Sequence, residues 1–240
     1  MTRDALTTQC AIAGGGPAGL MLGLLLARAG VDVVALEKHG DFLRDFRGDT
    51  IHPSTMEVMH ELGWLEEFLQ LPHQPVPRLS AQFGDTVITL ADFSRLRCHA
   101  RFIAMMPQWD FLAFLARKAR GFPSFRLIMQ GEAQELLREN ERVVGLRGRN
   151  SAGAIDIRAD LIVAADGRAS TLRAQAGLIA EDFGAPMDVL WFRLSRHPGD
   201  TAETQGRFYA GRIFIMLNHG DYWQCAYVIA KGADAQLRGA

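Results

Sequence analysis

The stretch Gly14-Gly15-Gly16-Pro17-Ala18-Gly19 constrains this chain more than any other part of it. It follows the apolar run Gln9-Cys10-Ala11-Ile12-Ala13, and its glycines Gly14, Gly16 and Gly19 have the spacing GxGxxG. Leu20 to Ala29 is rich in helix formers and stops at Gly30, a natural helix end. Val31 to Glu37 is β-branched and reads as a strand. Strand, glycine turn, helix and strand in this order make a βαβ unit. In such a unit Gly14 permits the tight turn, Gly16 lets a pyrophosphate approach the backbone, and Gly19 lets the helix pack closely on the strand. The helix start presents N–H groups and a positive dipole end to an anion. Glu37 closes the second strand, where a carboxylate accepts hydrogen bonds from ribose hydroxyls and repels a 2′-phosphate. The unit therefore reads as a site for FAD or NAD rather than NADP.

Composition excludes several other classes. Lys plus Arg total 26 and Asp plus Glu total 27, for a net charge of −1, and 48% of residues are hydrophobic. A disordered chain would be poorer in apolar residues, and a nucleic-acid-binding chain would be strongly basic. Cys10, Cys98 and Cys225 stand far apart, so neither a disulfide framework nor a structural zinc site is expected. They read as small buried hydrophobes in a reducing compartment. Met1 to Gln9 is too polar for a signal peptide, and the longest apolar run, Leu20 to Ala27, is far too short for a bilayer span. The expectation is a cytoplasmic chain with no membrane and no nucleic-acid partner.

Further along, Pro53 to Gly63 reads as a helix with Met56, Met59 and Leu62 on one stripe. Leu71 to Pro77 carries Pro72, Pro75 and Pro77 and reads as a connection. Phe83 to Leu90 looks like a hairpin strand beside a Gly84-Asp85 turn. Phe102 to Met106 is a further apolar run. Gln108 to Arg120 reads as a helix burying Phe111, Leu112, Phe114 and Leu115. Phe125 to Met129, Val143 to Arg147 and Ala154 to Arg158 alternate like strands. Leu161 to Ala165 is continuously apolar, as in the middle of a parallel sheet. After Asp166-Gly167-Arg168 and a short helix ending at Gly177, the chain becomes β-rich and aromatic, with a turn at Asn218-His219-Gly220-Asp221.

Gly14 to Gly19 with Glu37, taken together with Asp166-Gly167-Arg168-Ala169-Ser170-Thr171-Leu172-Arg173, resembles the group A flavoprotein monooxygenases. These are the FAD-dependent aromatic hydroxylases related to p-hydroxybenzoate hydroxylase. The second stretch is similar to that family's Asp-Gly motif, near the FAD pyrophosphate and associated with NAD(P)H use. Met106-Pro107-Gln108-Trp109-Asp110 resembles a family segment whose Gln contacts the ribityl chain, and Arg47 stands where the family sets an arginine against the flavin phosphates. The resemblance implies an α/β fold: a Rossmann-like FAD-binding domain of the GR2 type, interleaved with a β-rich substrate domain. The first would take residues 1–75 and 106–182, the second 76–105 and 183–240. The cofactor-binding set so implied is Gly14, Gly16, Pro17, Ala18, Gly19, Glu37, Lys38, Arg47, Gln108, Asp166 and Gly167, with no metal and no assigned catalytic side chain.

The implied reaction is hydroxylation of a small, aromatic or polyketide-like substrate. NADPH or NADH reduces FAD, O2 adds at flavin C4a, and the hydroperoxide transfers one oxygen. The flavin carries that chemistry, in keeping with a sequence that has no GxSxG and no His/Cys metal cluster. Alternatives stay open at several residues. Arg44 is either a phosphate contact or a solvated charge, and Asp166 is either the family motif or a simple helix cap. Trp191, Phe192, Tyr222 and Trp223 line a cavity or fill a core. His52, His99 and His219 read as surface or core residues rather than bases. The family's C-terminal Gly-Asp-Ala-Ala-His segment has no counterpart, since the pairs Gly40-Asp41, Gly48-Asp49, Gly84-Asp85, Gly199-Asp200 and Gly220-Asp221 do not precede such a run. The expectation is thus a C-terminally shortened enzyme with an open sheet edge and uncovered apolar surface. The competing readings are a flavin-dependent reductase or dehydrogenase on the same fold, or a non-catalytic FAD-binding remnant.

Overall fold

The computed structural model of the chain describes residues 4–43, 49–201 and 203–235. The chain forms two compact units that interleave in sequence: Met1–Leu43 with Phe111–Glu181, and Arg44–Asp110 with Asp182–Ala240.

The first unit is built on a six-stranded sheet. Its order is Phe125–Met129, Val33–Glu37, Asp4–Ala13, Gly153–Ala164, Arg142–Asn150, Glu132–Glu139. The first four strands run parallel, and the last two are added antiparallel. Val33–Glu37 lies between two parallel neighbours and is buried throughout. The helix Pro17–Arg28 buries Gly19, Leu20, Gly23, Leu24 and Ala27, one face of a 3.6-residue period. Pro17 opens it at a position that needs no N–H, and Gly30, at φ +82, turns the chain out of it.

One feature of this unit differs from the sequence reading. Ala154 to Arg158 and Leu161 to Ala165 do not form separate strands, because Gly153–Ala164 is one strand of 12 residues. From Ile155 to Ala164 it runs beside Asp4–Ala13, but Arg142–Asn150 pairs with it only as far as Arg158. Beyond that point one flank has no strand partner among the described residues, and Leu161 is 55% exposed. A hollow of about 580 Å³ lined by Leu136, Val143, Ile162, Leu172 and Leu178 adjoins this flank. A further feature, outside the sequence reading, is Glu132–Glu139, a charged run of good helix formers that folds as a strand. Pairing with Arg142–Asn150 overrides its propensity. Its outer edge is covered by Gln175, whose Oε1 accepts the Leu136 N–H at 2.7 Å and whose Nε2 donates to Gln134 O at 2.7 Å.

The second unit holds another six-stranded sheet, in the order Met187–Ser195, Tyr222–Ala230, Arg212–Asn218, Gln205–Tyr209, Arg78–Phe83, Thr86–Asp92. All its pairs are antiparallel except that of Gln205–Tyr209 with Arg78–Phe83. Gly84 at φ +57 makes the turn between the last two strands. A three-stranded sheet places Ile103–Met105 between Thr50–Ile51 and Gln74–Val76. The proline-rich connection therefore contains a strand, with Pro75 tolerated because Gln74–Val76 is an edge. The same sheet joins Thr50–Ile51 and Gln74–Val76 through Ile103–Met105. Cys10 and Cys225 are buried, whereas Cys98 is only half-buried. No helix among the described residues is long and apolar enough to cross a membrane.

Two substitutions on one strand separate its buried and open halves. Ile157→Ala, at a fully buried position, should cost about 2–5 kcal/mol of stability. Leu161→Ala should cost no more than about 0.5 kcal/mol, the usual range for an exposed site. Urea denaturation of the two variants measures both; equal losses would contradict the open flank.

Candidate functional site

The glycine turn lies at the carboxyl ends of the parallel strands, where ligands of open α/β sheets bind. Its shape is set by backbone approaching backbone. Gly14 has φ +108, and its N–H donates to Leu36 O at 2.8 Å. A Cβ at Gly14 would stand 2.2 Å from Ala165 O, and one at Gly19 would stand 1.9 Å from Gly14 O. Neither position has room for a side chain. Gly16 is different. It caps the helix in an extended conformation, and a Cβ there would meet nothing within 4 Å. The space beside Gly16 is thus open, in front of the first turn of the helix, whose Ala18 and Gly19 N–H groups have no acceptor within the helix.

Two carboxylates border this turn. Glu37 is 4% exposed; its Oε2 accepts the Gly15 N–H at 3.0 Å and its Oε1 accepts the His39 N–H at 2.9 Å. Lys38, next to it, is exposed. Asp166 stands two residues past the end of the Gly153–Ala164 strand, and Gly167 turns the chain at φ +92. Asp166 Oδ2 accepts the Thr171 N–H at 3.0 Å, and Ser170 Oγ accepts the Arg173 N–H at 3.0 Å, so both tie down the start of the Thr171–Gln175 helix. Asp166 therefore does act as a cap. Its other oxygen, Oδ1, is buried and has no hydrogen-bond partner. An unmatched buried acceptor is costly, so the place in front of it suits a hydrogen-bond donor.

These features fit an adenine dinucleotide. There is an open space at a helix N-terminus, a carboxylate at the end of the second strand, and an orphaned acceptor just past the end of the strand beside the first. The first unit thus brings Gly14, Gly16, Pro17, Ala18, Gly19, Glu37, Lys38, Asp166 and Gly167 to one end of its sheet. Gln108 belongs to the second unit, where it opens the Gln108–Ala119 helix. Arg47 and Arg44 lie outside the described residues.

The second unit contains a polar cluster that the sequence reading did not anticipate. Asp49 is 5% exposed; Oδ1 accepts the Gln108 N–H at 3.2 Å and Oδ2 accepts the Gln224 side-chain N–H at 3.1 Å. His219 Nε2 lies 3.2 Å from Gln224 Oε1. Burial pushes the Asp49 carboxyl up, and the bond from Gln108, the proximity of His219 and the bond from Gln224 pull it back. No local pattern could have revealed a contact between residues so far apart in sequence. Of the aromatic residues, Trp223 is 2% exposed and donates to Asp200 Oδ2 at 3.1 Å, so it is a core tie. Phe192 stacks on Phe214, and Trp191 is 39% exposed.

The model of a family described as FAD binding domain matches residues 7–228. The 6-methylpretetramide 4-monooxygenase of Streptomyces rimosus is 31% identical over 194 residues, covering 80% of this chain and 46% of that protein. The 3-(3-hydroxy-phenyl)propionate/3-hydroxycinnamic acid hydroxylase of Escherichia coli O8 is 28% identical over 201 residues, covering 81% of this chain and 35% of that protein. The chain thus spans about half or less of the length of these relatives. Among solved structures, p-nitrophenol 4-monooxygenase PnpA from Pseudomonas putida DLL-E4 has the same fold, with TM-score 0.83 and 20% identity over 98% of this chain and 61% of that one.

The glycines divide by what surrounds them. Gly19→Ala should lower the melting temperature by several degrees, since the helix must move off the turn. Gly16→Ala should leave it within about one degree, because its methyl group enters open space. Calorimetry on the ligand-free chain distinguishes them.

Proposed function

From the premise that the chain belongs to the FAD binding domain family, we propose that it works as an FAD-dependent, NAD(P)H-consuming monooxygenase that hydroxylates a small phenolic or polyketide-like aromatic substrate. The observation that carries this reading is the similarity, over four-fifths of the chain, to a monooxygenase acting on an aromatic polyketide name-substrate, 6-methylpretetramide. The names of the hydroxyphenyl-propionate hydroxylase and of the p-nitrophenol monooxygenase support a phenolic substrate class. The fold alone would serve a flavin-dependent reductase equally well.

Bound FAD supplies the redox chemistry: it takes electrons from NADH or NADPH and delivers one atom of O2 to the substrate. The chain's own residues hold and orient it. Gly14 allows the tight turn, Gly19 lets the helix pack against it, and Gly16 lets the backbone approach the pyrophosphate; Pro17 starts the helix, whose first turn offers the Ala18 and Gly19 N–H groups and a positive dipole end. Glu37, already oriented by the Gly15 and His39 N–H groups, accepts from the adenosine ribose; a carboxylate oxygen takes more than one hydrogen bond. Lys38 and Arg47 add positive charge, Gln108 contacts the ribityl chain, and the open Asp166 Oδ1 beside Gly167 accepts from a polyol or ribose hydroxyl.

The test is NAD(P)H oxidation by the FAD-loaded chain in the presence of phenols, with oxygen incorporation followed by mass spectrometry using labelled O2. Labelled product supports a monooxygenase; substrate reduction or oxidation without incorporation supports a reductase or dehydrogenase instead. Site assignments are checked by flavin fluorescence titration. Glu37→Gln should weaken FAD binding about tenfold, the effect of losing a hydrogen bond to a charged group. Asp166→Asn keeps an oxygen for the Thr171 N–H and should likewise weaken binding about tenfold while leaving the fold intact. Wild-type affinity in either variant removes that residue from the cofactor site.

A further inference from the structure

The polar cluster of the second unit has a direction. A carboxylate only accepts hydrogen bonds, so Gln224 turns its Nε2 toward Asp49 and its Oε1 away from it. That oxygen also only accepts, so the proton on the facing His219 ring nitrogen is on Nε2. A neutral imidazole with its proton on Nε2 has its lone pair on Nδ1. No described residue makes a hydrogen bond to Nδ1. Burial lowers the His219 pKa below the ordinary imidazole value and Arg193 adds to this, while Asp49, Gln224 and Asp221 oppose it. The ring remains half-buried rather than sealed.

The surroundings indicate what the lone pair would meet. The His219 ring lies parallel to Tyr222, with centroids 4.9 Å apart and 8° between planes. The Arg193 guanidinium stands 3.9 Å from the centre of the Tyr222 ring and 3.7 Å from Asp221. The His219 ring and the Arg193 guanidinium both lie against the Tyr222 ring, which holds base and cation near one another; a base beside a cation suits an acidic hydroxyl, which gives up its proton while the cation favours the resulting anion.

We propose that Asp49 and Gln224 hold His219 as the Nε2–H tautomer so that its Nδ1 takes the hydroxyl proton of a phenolic substrate, a role that rests on the aromatic-hydroxylase reading above. The substrate O–H bond breaks, its electron pair stays on the phenolate oxygen, and the proton forms an N–H bond at Nδ1. The imidazolium keeps its Nε2–H on Gln224, with the Asp49 carboxylate beyond it. Asp49 and Gln224 act through His219 and are positioning residues. The phenolate is more electron-rich than the phenol and is the better acceptor of an electrophilic oxygen.

Nitrogen-15 NMR of the histidine-labelled chain reads the tautomer, with His219→Gln assigning the signals. Wild type should show Nε2–H. In Asp49→Asn the amide oxygen stays on the Gln108 N–H, so its NH2 faces Gln224, the Gln224 amide turns over, and His219 should switch to Nδ1–H. Gln224→Leu leaves Asp49 on Gln108 and should give a mixture of both tautomers. An unchanged His219 tautomer in either folded variant overturns the positioning role. The base role is tested with p-nitrophenol, whose ionised form is yellow. Bound to the wild-type chain it should ionise about one pH unit below the free probe, about a tenfold gain in the ionised-to-neutral ratio, and His219→Gln should abolish the gain. A probe that leaves the His219 signals unmoved, or a gain that survives His219→Gln, overturns the base role. Absence of oxygen incorporation while both results hold overturns the proposed activity and not the role of His219.

Discussion

The first unit depends on a contact in which no side chain takes part. The turn at Gly14 lies so close to Ala165 O that a Cβ would stand 2.2 Å away, and the helix lies so close to the turn that a Cβ at Gly19 would stand 1.9 Å from Gly14 O. Three pieces of backbone therefore meet: the end of one strand, the start of a helix, and the exit of the neighbouring strand. The Ala165 N–H bond to Ala13 O, at 2.7 Å, ties the two strand exits together. This approach brings the helix N-terminus, Glu37 and Asp166 to one end of the sheet. The open space at Gly16 and the unmatched Asp166 Oδ1 are what remain for a ligand to fill.

The second unit places polar chemistry where an apolar core would be simpler. Asp49 and Gln224 are both buried, and burying such groups is costly unless their hydrogen bonds are made. Each donor and acceptor in the Gln108–Asp49–Gln224–His219 chain has one compatible orientation, so the cluster defines a single arrangement in place of several. An apolar core would give no such orientation to the His219 imidazole. In the same sheet, Trp223 shows the other use of an aromatic residue with a polar end, tied through Asp200 into the packed interior.

Much of the first unit was legible because its signals are local. The GxGxxG spacing, the helix ending at Gly30 and the acidic end of the second strand all fall within one supersecondary unit. The helix face Phe111, Leu112, Phe114 and Leu115 is buried as its periodicity predicts. Other features were not legible. Glu132–Glu139 has the composition of a helix and becomes a strand because a neighbouring strand and the Gln175 side chain satisfy its backbone. Leu161 reads as core from its apolar neighbours, yet it is half exposed because the pairing with Arg142–Asn150 stops at Arg158. Gln205–Tyr209, with Gly206 and Arg207 within it, carries too weak a local pattern to read as a strand.

The sequence by itself determined the βαβ unit, the place of the dinucleotide turn and the family, because glycine spacing and hydrophobic period act over a few residues and need no partner elsewhere. Only the tertiary structure decided which acceptors stay open and which are used. Glu37 and Asp166 are both carboxylates beside a turn, but folding matches both Glu37 oxygens to backbone N–H groups and leaves Asp166 Oδ1 unmatched. In the same way folding joined Asp49 to Gln224, 175 positions apart, and so oriented His219. Hydrogen bonds are satisfied by whatever the fold brings within about 3 Å, and the linear order of residues does not encode that.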